Sequence, residues 1–228
     1  MGITIARSMP TTVDDPNHPM WAGGNLGYDF EPDPTINNTS MPTGWAWVNQ
    51  GNYGVFQKYG SFGIRSTSTD GGLHAAVQDI YSTSSAWTLT AKISLYHIVQ
   101  NWTLAGFCVY DGTKATTWGY GISQYHRTLW GTTAGHTGGY SDYNIAGVVG
   151  NPWASRYWRL VFNSTADIDF LVSVDCRNWW PLISTTSVAS GTYSMSTLTK
   201  VGFFGHNNTS TNGIAVDWWR VRAGADTP

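Results

Sequence analysis

The sequence predicts an all-β fold, an antiparallel β-sandwich, and three observations carry that prediction. Apolar and polar residues alternate over 87–95, with Trp87, Leu89, Ala91, Ile93 and Leu95 in one phase and Thr88, Thr90, Lys92 and Ser94 in the other. A period of two describes a strand with one buried and one wet face. From Gly44 onward, short apolar runs are separated by clusters of Gly, Asn, Asp and Ser, which is the punctuation of turns between strands. No segment carries apolar residues at i, i+3, i+4 and i+7 over a helical length, so helices are expected to be few or absent.

At 228 residues the chain is long enough for one all-β domain with a substantial core. Residues 1–43 hold six of the nine prolines, at 10, 16, 19, 32, 34 and 42, and show no periodicity. That segment cannot fold alone and is expected to be an arm lying against the body or a neighbouring subunit. The sandwich is expected over 44–222 and a short tail over 223–228. Within the sandwich, the runs 104–110 and 116–123 flank Asp111-Gly112, a dipeptide suited to the positive φ values of a tight hairpin turn. Tyr157–Phe162 sets Trp158, Leu160 and Phe162 in one phase, and 168–174 does the same with Ile168, Phe170, Val172 and Val174. Trp87, Trp158 and Trp218 are assigned to the core. A sandwich is favoured over a solenoid because no fixed repeat occurs.

Composition bounds the partners. Charged residues make up 11% of the chain, beside 26 glycines, 13 tryptophans and 12 tyrosines, where soluble domains carry roughly a quarter charged residues. The surface must therefore be built from Ser, Thr, Asn, Gly and aromatics, and it should self-associate or contact other molecules. The formal net charge is −2 with no run of Lys or Arg, so nucleic acid and anionic membranes are not expected partners. Neutral partners, glycans or protein, are. The start has no apolar leader and no later stretch approaches a membrane span, which predicts synthesis in a cytosol without a signal peptide. Cys108 and Cys176, the only cysteines, are expected to be two separate thiols.

An ordered set of phrases then becomes recognisable: Ala105-Gly106-Phe107-Cys108-Val109-Tyr110-Asp111, Tyr157 to Phe162, Val172-Ser173-Val174-Asp175-Cys176-Arg177-Asn178-Trp179, Val201-Gly202-Phe203-Phe204-Gly205, and Ala215-Val216-Asp217-Trp218-Trp219-Arg220-Val221. Together they resemble the concanavalin A-like lectin/glucanase superfamily, a jelly-roll sandwich, and in particular its LamG-like and xylosidase-appendage domains, over residues 44–222. Cys176 stands where the family's turn usually has Gly, which works against the usual turn conformation and leaves the Asp175 to Trp179 spacing intact. Gly44-Trp45-Ala46-Trp47-Val48-Asn49-Gln50-Gly51 and the run 86–93 are similar to phrases in concanavalin A-like domains of bacteriophage virion proteins. The resemblance implies a virion location, with decoration or fibre-associated work.

Chemistry is expected to be absent. Hydrolases on this jelly roll use two carboxylates across the sugar, commonly two glutamates on one strand, and the only glutamate is Glu31, inside the arm. Asp167 and Asp169 lie two apart on a strand and share a face. They read as a solvated face, or in a rival reading as a hydrolase pair. No zinc-protease, Cys-x-x-Cys, nucleophile-elbow or phosphate-loop motif occurs. His126, His136 and His206 are placed in or near loops, and neither a metal site nor a cofactor is expected. The loop acids Asp70, Asp111 and Asp142 show no convergence. What is left is the aromatic surplus. Trp118, Tyr120, Tyr125, Trp130, Tyr140 and Tyr143, read as loop or strand-end aromatics, could with His126, Arg127 and Asn144 stack and hydrogen-bond a glycan; alternatively the rings fill the core or a subunit interface. The expected protein is thus a non-catalytic virion surface protein that contacts itself, as a homo-oligomer, and other virion proteins. The alternative is a carbohydrate-binding module for a host surface polysaccharide.

Overall fold

The structure, a computed structural model, describes residues 24–29, 41, 44–58, 61–68, 71–96, 103–121, 124–130, 140–146, 156–163, 167–186, 197–207 and 212–225. Among these residues there is no helix. The strands, in chain order, are β1 (Gly24–Asp29), β2 (Trp45–Val48), β3 (Tyr53–Lys58), β4 (Ser61–Ser66), β5 (Leu73–Asp79), β6 (Trp87–Tyr96), β7 (Thr103–Tyr110), β8 (Ala115–Gly121), β9 (Gln124–Trp130), β10 (Tyr140–Ala146), β11 (Tyr157–Phe162), β12 (Asp167–Ser173), β13 (Trp180–Thr186), β14 (Lys200–Asn207) and β15 (Gly213–Ala223). They form two antiparallel sheets. One runs β13-β12-β11-β6-β15-β4-β3 with β1 added beside β15, and the other runs β10-β9-β8-β7-β14-β5-β2. The all-β sandwich expected from the sequence is the observed architecture.

The alternation in β6 explains its central place. Trp87, Leu89, Ala91, Ile93 and Leu95 are all buried and face the opposite sheet. The other phase is less wet than its composition suggests: Thr88 and Thr90 are buried too. Each has a partner, since Thr88 Oγ1 donates to the Gly224 carbonyl (2.9 Å) and Thr90 Oγ1 accepts from Arg159 Nε (3.1 Å). β11 and β12 repeat the rule, with Trp158, Leu160, Phe162, Ile168, Phe170 and Val172 buried in the core. Val174 departs from it. β12 ends at Ser173 and Val174 is 46% exposed, because the Ser173 hydroxyl accepts from the Asp175 and Cys176 N–H groups (3.2 and 2.9 Å) and turns the chain away.

Two further departures have local causes. The β7–β8 connection is a four-residue loop instead of a tight turn: Asp111 N–H donates to the Lys114 carbonyl (3.1 Å), and Asp111 Oδ1 accepts from the N–H groups of Thr113 (2.8 Å) and Lys114 (2.7 Å). Only Gly112 in it has positive φ. In β15 the register shifts between Val216 and Trp218, so that Val216 faces Ile93 and Trp218 faces Lys92. This β-bulge inserts Asp217, which pairs with Lys92 at 2.7 Å, and reverses the phase of the strand. Trp219 and Val221 are therefore the buried residues after it. The side chain of Trp218 lies outside the described residues.

The arm enters the fold through β1, whose Leu26 to Asp29 pair antiparallel with Val221 to Trp218. This part of the expected arm is a strand of the sandwich. Cys176 adopts φ 62°, a left-handed conformation, so the turn keeps the glycine-type geometry although a Cβ is present. Both cysteines are buried thiols, and neither is in a disulfide.

Two predictions follow from these geometries. A left-handed residue with a Cβ carries about 1 kcal/mol or more of strain, so Cys176→Gly will be more stable than Cys176→Ala by about 1 kcal/mol in denaturant unfolding; equal stabilities would contradict the strained turn. Removing residues 1–40 strips β1 from the sheet, whereas removing 1–23 spares it. The longer truncation is expected to melt about 5 °C or more below the shorter, as loss of about 2 kcal/mol of pairing implies.

Candidate functional site

Of the nine residues expected to form a glycan platform, three have described side chains, and all three are buried. Trp118, Tyr120 and Trp130 lie in strands, not loops, and are buried, Trp118 fully and in the main core. Their burial follows from register and from the sheet having two covered faces. Trp118 and Tyr120 point into the sandwich, while Trp130 packs with Leu73, Ala75, Val77, Leu104, Cys108, Ala115 and Phe204 in a second cluster on the opposite face. Its indole N–H donates to Thr117 Oγ1 at 3.1 Å. Tyr125, His126 and Arg127 are on β9, and Tyr140, Tyr143 and Asn144 on β10, at one margin of that sheet. The register sets Arg127 between Trp118 and Asn144, and Tyr125 opposite Tyr120; their side chains lie outside the described residues. His206, expected near a loop, is a buried residue of β14, with Nδ1 3.0 Å from the Gly72 carbonyl and its ring 4.9 Å from that of Trp130. Asp142 lies on β10, while His136, Asp70 and Glu31 fall outside the described residues. Among the described residues, no three His, Cys, Asp or Glu side chains gather as a metal-ligand set.

Among the described residues, an open cleft lies elsewhere, at the far edge of the other sheet. Gln50, Gly51, Asn52, Tyr53, Gly54, Val55, Phe56, Arg65 and Thr67 line a space of about 320 Å³, at the small end of ligand pockets of roughly 300–1,000 Å³. Its walls are fixed. Asn49, at φ 52°, donates from Nδ2 to the Leu73 carbonyl (2.8 Å), and its own carbonyl lies 2.8 Å from His74 Nδ1. The Tyr53 N–H donates to the Gln50 carbonyl (2.9 Å), closing the turn that starts β3. Tyr53 then stacks on His74, with centroids 4.5 Å apart, and its hydroxyl hydrogen-bonds Asn212 Oδ1. On the other wall the Thr67 N–H and hydroxyl both donate to the Asn52 carbonyl (2.9 and 3.0 Å). Asn52 Nδ2 donates to Ser68.

Phe56 and Arg65 stand on the outer face of this sheet, because Tyr53, Val55, Phe62 and Ile64 in the other phase are core residues. Phe56 lies across Gly63, where a Cβ would sit 2.6 Å from its ring. The ring meets Tyr96 edge to face at 5.6 Å. Glycine at 63 therefore makes the room that lets an aromatic ring lie flat along the sheet. The arrangement combines a ring face, amide and hydroxyl groups and one guanidinium, which is the chemistry that holds a polyhydroxylated ring.

A second polar assembly occupies the outer face near β12. Arg159 is buried there beneath Trp179, its guanidinium carbon 3.9 Å from the ring centroid. Burial lowers its pKa to about 10, with Cys176 opposing the fall and Arg222 adding to it. Cys176 is pushed up to about 12 by its own burial, which makes it an inert thiol. Asp175 is held well below the ordinary carboxylate range by the N–H groups of Asn178 and Arg177, both 2.9 Å from Oδ1. These contacts shape a turn. Asp167 and Asp169 share a half-buried face opposite the buried Ile168 and Phe170, and Asn163 Nδ2 donates to Asp169 Oδ2 at 2.9 Å.

No protein family and no curated protein sequence matches the chain. Solved structures do match. GH43 BlXynB of Bacillus licheniformis shares 15% identity at a TM-score of 0.61, over 88% of this chain and 39% of its own. The CBM2 module of Lactobacillus casei BL23 phage J-1 evolved Dit shares 9% at 0.52, over 90% and 98%. Rv0315 of Mycobacterium tuberculosis, described as an immunostimulatory antigen and pseudo β-1,3-glucanase, shares 12% at 0.51, over 89% and 99%. The chain thus spans about two fifths of BlXynB and nearly all of the other two. At these identities the likeness shows the fold, a lectin/glucanase-like sandwich, and goes no finer. It also corrects the expectation that the chain is not an enzyme, since the sandwich occurs in GH43 glycoside hydrolases. The lone glutamate removes a glutamate dyad and does not remove catalysis.

Proposed function

We propose that this chain is a glycan-binding module of a bacteriophage virion surface, with the β3–β4 cleft as its saccharide site. The cleft carries the reading: a fixed ring face at Phe56 beside the amides of Gln50 and Asn52 and the hydroxyl of Thr67, in a space of ligand size. The phage setting is supported by the virion-like phrases in the sequence and by the module-sized likeness to a CBM2 unit of a phage protein. A carbohydrate-binding module and this chain then do comparable work on comparable frames.

A second reading rests on a different observation. Trp180 is 51% exposed and Val174 46% exposed, both at the β13 margin of the sheet, and an aromatic of that size in water is typical of a contact surface. In this reading the margin joins the chain to another copy or to a neighbouring virion protein.

The two readings have separate tests. Phe56→Ala is expected to weaken oligosaccharide binding by about tenfold in calorimetric titration, since loss of ring stacking costs about 1 kcal/mol or more; unchanged affinity would remove the cleft from consideration. Trp180→Glu is expected to lower the self-association measured by light scattering while leaving oligosaccharide affinity intact. An unchanged molar mass across concentrations in both proteins would defeat the contact reading.

A further inference from the structure

The neutral-partner expectation came from net charge, but a site is selected by its own lining. Among the described residues, Arg65 is the only charged one lining the cleft, and no Asp or Glu lines it. Its guanidinium is exposed and makes no hydrogen bond or ion pair with any described residue. The register shows why it is left alone. Arg65 lies between Gly54 on β3 and Gly213 on β15, so neither cross-strand neighbour has a side chain that could cover or pair with it. Gly213 cannot be otherwise, because a Cβ there would stand 2.7 Å from the Ile64 carbonyl and 3.2 Å from Arg65 itself. Along β4 its outer-face neighbour is Gly63, and the next side chain in the row, beyond Gly213, is Tyr96. Elsewhere on this face a cation is paired: Lys92 holds Asp217 at 2.7 Å.

We infer that the cleft selects a saccharide bearing an oxyanion, with Arg65 as the residue that reads it. This inference rests on the glycan reading of the cleft and names the ligand class within it. A guanidinium presents parallel N–H donors that fit a planar or tetrahedral oxyanion two bonds at a time. With no carboxylate among the described lining residues to compete, the anionic substituent of the ligand is the natural counter-ion. Phe56 and the amides would hold the ring while Arg65 holds the charge. Because Arg65 faces solvent, the gain is that of one charge-assisted contact in high dielectric, about tenfold in affinity, and it falls as salt rises. Uronate, sulfate ester and phosphate ester share this chemistry.

The test titrates the full-length protein with trigalacturonate, its fully methyl-esterified form, and a sulfated and a phosphorylated trisaccharide. At low salt at least one anionic saccharide is expected to bind about tenfold more tightly than the neutral ester. Arg65→Gln is expected to abolish that preference, bringing the anionic and neutral forms to equal affinity, and Arg65→Lys to keep part of it. The arm that shows the preference identifies the oxyanion. Equal affinity for neutral and anionic forms, or a preference that survives Arg65→Gln, overturns the inference and leaves the glycan reading standing. Binding to none of the saccharides overturns both.

Discussion

The rest of the structure depends on a line of aromatic rings packed between the two sheets. Trp219 touches Trp45 (5.2 Å between centroids), Phe107 (5.7 Å) and Phe203 (6.0 Å); Phe62 and Phe203 close a group with Trp45; Phe107 continues to Trp158 and Phe170. Most of these contacts are edge to face, the orientation in which ring quadrupoles attract. Each ring buries about 150–250 Å², or about 4–6 kcal/mol at the usual area coefficient. That exceeds the cost of about 1–3 kcal/mol for an indole N–H left without a hydrogen bond. Trp87, Trp118 and Trp219 bury such groups without a partner among the described residues. The ring wins over its polar atom, and this is how a chain with so few charges holds two sheets together.

That same balance sets what could be read in the sequence. Strand phase was legible wherever one face is wet or polar, as in β6, β11 and β12. It became ambiguous in β15, where 214–221 contains two phases. Ile214 and Val216 argue for one, and Trp219 and Val221 for the other. Only a bulge reconciles them, and Asp217 beside Lys92 supplies it. The polar residue between two apolar phases was the available signal. The turn at Cys176 shows the opposite case. Spacing from Asp175 to Trp179 carried the geometry, because the hydrogen bonds of Ser173 and Asp175 hold the loop whatever residue stands at its centre.

The site was less legible than the fold, for a physical reason. Aromatic residues of β8 and β9 read as loop or strand-end residues and so as available for a ligand. Here both phases of β8 are buried, and Trp118 on one side of the sheet and Trp130 on the other are spent on packing. The cleft instead draws on Gln50, Asn52 and Thr67, polar residues that in sequence read as loop, and on Phe56 and Arg65, whose shared outward face is set by the pairing of β3 with β4. Register was the missing information. Gly63 and Gly213 were the nearest thing to a clue, since glycine inside a strand often marks a close approach.

The cleft and the core are then two uses of one constraint. An edge strand such as β3 is normally the part of a sheet most apt to fray or to pair with another chain. Here Tyr53 and Val55 anchor it inward to the aromatic core, and the Tyr53 hydroxyl ties it to Asn212, whose Nδ2 in turn donates to the carbonyls of Leu104 (2.7 Å) and His206 (2.9 Å) in the opposite sheet. The inward residues of β3 are thus locked across the sandwich, and of the outward ones Phe56 rests on Gly63 and against Tyr96. A ligand meeting a ring already in position would lose less ordering entropy than one that had to fix it. The rigidity that the aromatic interior supplies is therefore what fixes the inner wall of a shallow cleft at the sheet margin.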